Sequence, residues 1–87
     1  MNIIQAQRVI VLLGQFFDSH AFIRKYMKKY PKAYAKIVSE HKTLKAAHAT
    51  IGRFLENNSE DLNSTHRGEI ESLNILMNPS SNALWQK

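Results

Sequence analysis

The chain has no cysteine, which excludes a disulfide framework, a thiol nucleophile and any Cys-ligated zinc or iron–sulfur site. Glycine and proline are scarce, at three and two residues; Gly14, Gly52 and Gly68 stand apart, so no glycine-rich loop is available to cradle phosphates. Long apolar runs are also missing. The most hydrophobic stretch, Val9–Leu13 extended to Phe16 and Phe17, falls far short of the roughly 20 residues that cross a bilayer. Arg8 precedes it in the manner of a secretion leader, but Asp18 and His20 follow at once and no small-residue cleavage site is present, so a cytoplasmic protein without membrane association is expected.

Acidic residues are the most informative absence. None occurs between Ser19 and Ser39, where Arg24, Lys25, Lys28, Lys29, Lys32 and Lys36 all fall. The first 55 residues hold ten Lys/Arg against Asp18 and Glu40, net +8, and the remainder is net −3, giving +5 for the 87 residues. With 44% hydrophobic and 22% charged residues, the chain reads as one small globular domain, 1–87.

Residues 2–17 are apolar almost all round, and periodicity does not separate a buried helix from a strand there; total length and the Gln5–Arg8 flank favour helix. Asp18 and Ser19 offer N-cap side chains to a second helix, 19–30. Phe22, Tyr26 and Tyr30 recur at four-residue spacing within it, which reads as core stripe rather than stacking platform. Pro31 ends that helix and suits the first turn of a third, 31–40. Thr43 caps a fourth, 43–57, with Leu44, Ala47, Ile51, Phe54 and Leu55 inward. The acidic remainder, 58–87, reads as a tail docked through Leu73, Ile75, Leu76 and Trp85 as a short strand and a helical turn. The expected fold is therefore all-α: a small helical bundle with a helix-turn-helix-like arrangement, packed around Leu12, Leu13, Phe16, Phe22, Tyr26, Ile37, Leu44, Ile51, Phe54 and Leu55.

Two features point to an anionic partner. On a wheel of about 100° per residue, Arg24, Lys25, Lys28 and Lys29 oppose the apolar stripe of their helix and form a cationic strip able to hold phosphates. In the fourth helix, Lys42, Lys45, Thr50 and Arg53 share a face with Ala46 and Ala49. Small residues let a helix backbone approach bases while Lys, Arg and Thr reach phosphates or base edges. The expected function is nucleic-acid binding, duplex DNA favoured, through Arg24, Lys25, Lys28, Lys29, Lys32, Lys36, Lys42, Lys45, Thr50 and Arg53. The alternative is a protein-interaction module, or a homodimer formed through the apolar first helix.

The segments Phe17–Lys25, His48–Leu55 and Asn82–Lys87 resemble pieces of small bacterial proteins carried by phages and other mobile elements, a group with no established activity to transfer. The layout also resembles helix-turn-helix DNA-binding domains, which implies DNA as partner. Here the turn has no Gly and Lys45 stands where an apolar residue is usual, so no family site residues carry over.

No enzyme, cofactor, metal or small-molecule substrate is expected. Asp18-Ser19-His20 contains the residue types of a catalytic triad, but sequence neighbours on a helix point about 100° apart and cannot form the relay. His41 and His48 are seven residues apart, about 10 Å along a helix axis, too far to share a metal; His48, at the edge of the apolar arc, reads as a hydrogen-bonded boundary histidine.

Overall fold

A computed structural model describes residues 1–87. Four helices, α1 (Ile3–Val11), α2 (Ser19–Lys29), α3 (Pro31–Ser39) and α4 (Leu44–Asn57), accompany three strands, β1 (Phe16–Asp18), β2 (Thr65–Leu73) and β3 (Pro79–Gln86). The strands form one antiparallel sheet in the order β1-β3-β2. The fold is therefore α+β, and the all-α expectation is corrected: the acidic tail is a β-hairpin whose second strand also pairs with a strand from the N-terminal third.

Local chemistry sets the helix ends. The Asn2, Asp18 and Thr43 side chains accept bonds from the amides of Gln5, Ala21 and Ala46, at 2.8, 2.8 and 3.1 Å, each satisfying a donor with no partner inside its helix. Pro31 begins α3 directly after Tyr30, where its missing N–H costs nothing. No helix is long and apolar enough to cross a membrane.

The apolar run after α1 behaves differently from the expected single helix 2–17. The helix stops at Val11, and Phe16–Asp18 turns extended to pair with β3 in the register Phe16↔Gln86, Phe17↔Trp85 and Asp18↔Leu84. Its partner lies almost seventy residues away, so periodicity within the run carries no sign of the pairing. As a result Leu12 and Phe16, expected in the core, are exposed.

Helix α2 is central, packing against α1, α3, α4, β1 and β3. Phe22 and Tyr26 are fully buried, their rings stacked at 6.1 Å between centroids. Around them lie Ala6, Val9, Ile23, Ile37, Ile51, Leu55, Phe17 and Trp85, all buried, with Leu13 and Phe54 partly so. Trp85 joins sheet to helices: its indole N–H donates to Ser19 Oγ at 3.1 Å, so the bulkiest residue of the tail is buried with its one polar atom satisfied.

Hairpin β2–β3 is irregular at two points. The register shifts between His66 and Glu69, and Gly68 there has φ +115°, a bulge conformation that L side chains disfavour. At the tip, Asn74 Oδ1 accepts from the amides of Leu76 and Asn78 at 2.9 and 3.1 Å, an Asx-type turn.

The glycines should respond oppositely to alanine. Gly68→Ala places a Cβ at positive φ and is expected to cost about 1–3 kcal/mol. Gly52, in mid-α4 with nothing within 4 Å of an added Cβ, should gain up to about 1 kcal/mol in Gly52→Ala. Urea unfolding of the two variants checks both signs.

Candidate cationic cleft and its polar floor

A cleft of about 940 Å³ opens between α4, the first turn of α2 and the β2–β3 hairpin. Lys45, His48, Ala49, Gly52 and Arg53 come from α4, Ser19, His20 and Ile23 from α2, and His66, Asn74–Leu76 and Ser80–Ala83 from the hairpin and its turn. Glu56 and Glu69 also line it.

The ten residues expected to meet nucleic acid do not form one surface. Lys45 and Arg53 line the cleft. Lys28, Lys29, Lys32, Lys36 and Lys42 are exposed on α2, α3 and the turn before α4, and Lys25 is half-buried. Arg24 is drawn out of the strip, its guanidinium donating to Leu73 O at 2.8 Å and tying α2 to the end of β2. Thr50 is occupied within the fold: its hydroxyl meets His41 Nε2 at 2.9 Å and Ala46 O at 3.1 Å, and accepts from Arg53 at 3.2 Å. With His41 Nδ1 also 2.7 Å from Ile37 O, Thr50 and His41 clamp the end of α3 to α4 rather than facing outward.

Charge segregation persists in three dimensions. The one contact between opposite charges is His66 with Glu69, at 3.8 Å. Every Lys and Arg is therefore without a carboxylate partner, although the chain has seven Asp/Glu.

The floor of the cleft is a polar cluster that sequence spacing did not suggest. Ser72 and Ser80 are register partners across the hairpin, and both reach His20: Nδ1 lies 2.8 Å from Ser72 Oγ and Nε2 lies 3.2 Å from Ser80 Oγ. Asn82 Oδ1 accepts from the His20 amide at 2.8 Å, while its NH₂ donates to Ile70 O and Ser72 Oγ at 3.0 and 3.2 Å. The Ser72 side chain also lies near the Asp18 carboxylate and favours its charged form. No buried side-chain nitrogen or oxygen lacks a partner, so the cluster is fully satisfied. The only sequence signal for it is negative: Ser72, Ser80 and Asn82 are small polar residues where a half-buried strand ordinarily shows alternating apolar ones.

Burial lowers the pKa of His20, and Arg24 adds to this; Asp18 and the Ser72 backbone only partly offset it. His48 is lowered by burial and by nearby His20, and its Nε2 lies 2.7 Å from Tyr34 OH, the hydrogen-bonded boundary state. Burial would raise Asp18, but bonds from Ser72 and the Ala21 amide, the nearby His20 and Asn82 outweigh it and hold the carboxyl below its ordinary value. No three His, Asp or Glu side chains converge as a metal set. Compared with family models, with curated proteins and with solved structures, the chain matches none.

The pKa directions have a consequence for stability. His20 and His48 titrate lower when folded, so the unfolded chain binds more protons on acidification and stability rises with pH across their range. Thermal midpoints should fall from about pH 7 to about pH 5, and fall further below about pH 4 as Asp18 loses its charge. A midpoint flat across the histidine range contradicts the assignment.

Proposed function

We propose that the chain binds nucleic acid, with duplex DNA the favoured form, through the cations of α2, α3 and α4. One observation carries the reading: in a chain with both signs of charge, no Lys or Arg is neutralised by a carboxylate, and the helices concentrate them. Such groups gain most from phosphates, because binding releases the counterions condensed on the nucleic acid. Lys25, Lys28, Lys29, Lys32 and Lys36 serve as phosphate contacts. On α4, Lys45, Ala49 and Arg53 recur at four-residue spacing and share one row. With Gly52 beside it, that row is the part of the surface that admits closest approach. Arg24 and Thr50 leave the contact set, since both are held by bonds inside the fold.

Fluorescence anisotropy with labelled duplex and single-stranded DNA, at about 50 and 200 mM salt, tests this. With six phosphates neutralised, the log–log slope of affinity against salt should be about −5. Lys25→Glu/Lys28→Glu/Lys29→Glu should weaken binding to all sequences alike, whereas Lys45→Glu/Arg53→Glu should also reduce discrimination between sequences. Absence of binding to either strand form at about 50 mM salt, where phosphate contacts are least screened, overturns the proposal.

A second reading, self-association, has its own observation. Ile4, Val11, Leu12 and Phe16 are between 54% and 75% exposed, along α1 and into β1, which is an edge strand. An exposed apolar patch continuous with an unpaired edge is a pairing surface. Sedimentation equilibrium should show a dimer that Leu12→Glu/Phe16→Glu dissociates; a monomer at high concentration removes this reading.

A further inference from the structure

The polar cluster at the cleft floor places His20 between two hydroxyls, Ser72 and Ser80. Ionised Asp18 can only accept, and the Ser72 side chain lies near enough to favour its charged form. Ser72 Oγ accepts from Asn82 Nδ2 at 3.2 Å and lies 2.8 Å from His20 Nδ1. In the tautomer with the proton on Nδ1, where Ser72 Oγ can accept it, the bare Nε2 faces the hydroxyl of Ser80, 3.2 Å away. Ser80 lines the cleft and is half-buried, while His20 behind it is 9% exposed. Read outward from the carboxylate, the chain runs Asp18, Ser72, His20, Ser80. A nucleophile, a neutral imidazole base and a third group orienting that base are the parts needed to activate a hydroxyl. The sequence neighbours Asp18-Ser19-His20 do not assemble them; the hairpin supplies both hydroxyls.

We propose that Ser80 is a nucleophile activated by His20, acting on activated carboxylic esters with a small acyl group. Ser80 Oγ bonds to the acyl carbon as the bond from that carbon to the leaving oxygen breaks. The Ser80 proton passes to His20 Nε2 and then to the leaving oxygen. Water next attacks the acyl-serine, giving one proton to Nε2; that proton returns to Ser80 Oγ and the carboxylic acid departs. Between transfers His20 is an imidazolium whose Nδ1–H is held by Ser72 Oγ and whose charge is favoured by nearby Asp18, so Ser72 and Asp18 are positioning residues. Ile23, Leu44, Ile75 and Leu76 provide apolar wall for the acyl group, and Lys45 and Arg53 place unpaired positive charge in the same cleft. The proposal does not depend on nucleic-acid binding.

The test uses p-nitrophenyl acetate with the full chain, following nitrophenolate release and locating the acetyl group by peptide mass mapping. Acetyl on Ser80, formed at a rate that His20→Gln lowers by about 100-fold or more, is the expected result. The wild-type pH profile gives a second readout that needs no variant. Asp18 on β1, Arg24 on α2 and His48 on α4 are the titrating or charged groups acting on His20. With burial and these charges together lowering its pKa, the rate should rise with a midpoint below the usual histidine value. Acetyl confined to lysines, a Ser80 rate unchanged in His20→Gln, or a profile without the histidine inflection each overturns the proposal.

Discussion

Asp18 is where sheet and helices become one structure. It is the last residue of β1, paired with Leu84, and its carboxylate caps α2 through the Ala21 amide. The strand therefore passes into the helix with no loop between. Ser19 and His20, the first two residues of α2, are at once bound to Trp85 and Asn82 of β3. Because α2 packs on every other helix, orientation established at this junction spreads through the domain. The same carboxylate also favours the charged form of His20, so fold and candidate chemistry share one residue.

The seam between α2 and the hairpin is partly polar, which is costly unless each group finds a partner. Here all do. A fully satisfied polar seam gains little free energy over an apolar one, but it tolerates only the register that pairs its donors with its acceptors. A one-residue slip of β3 would separate Ser80 from Ser72 and Asn82 from the His20 amide. Small polar side chains thus specify the hairpin register, while Phe22, Tyr26, Ile51 and Trp85 supply the hydrophobic burial.

Charge is distributed on a different logic. The helices carry cations without internal partners, and most carboxylates stand beyond Glu56, where only His66 meets one. Self-repulsion among the helix cations opposes folding modestly and is relieved by a polyanion. The tertiary structure refines that surface: Arg24 and Thr50 belong by sequence spacing to the cationic faces, yet both are consumed in holding elements together.

Helix starts were legible from the sequence because they are local events. Asp18, Pro31 and Thr43 act on amides or dihedrals within a few residues, and the apolar stripes of α2 and α4 repeat at the helical period. The segregation of charge and the absence of thiol chemistry needed only composition. The sheet was not legible. β1 is three residues long and its partner lies near the other terminus, while β2 shows no alternation because Ser72 turns inward and Ile70 and Leu73 are exposed. Nor was the Asp18–Ser72–His20–Ser80 chain, whose members span 62 positions and are assembled by hairpin register. Sequence by itself determined where the helices start and how charge is divided; the tertiary structure alone decided the sheet, the end of the first helix and the cluster, because these depend on contacts between distant residues that no local period records.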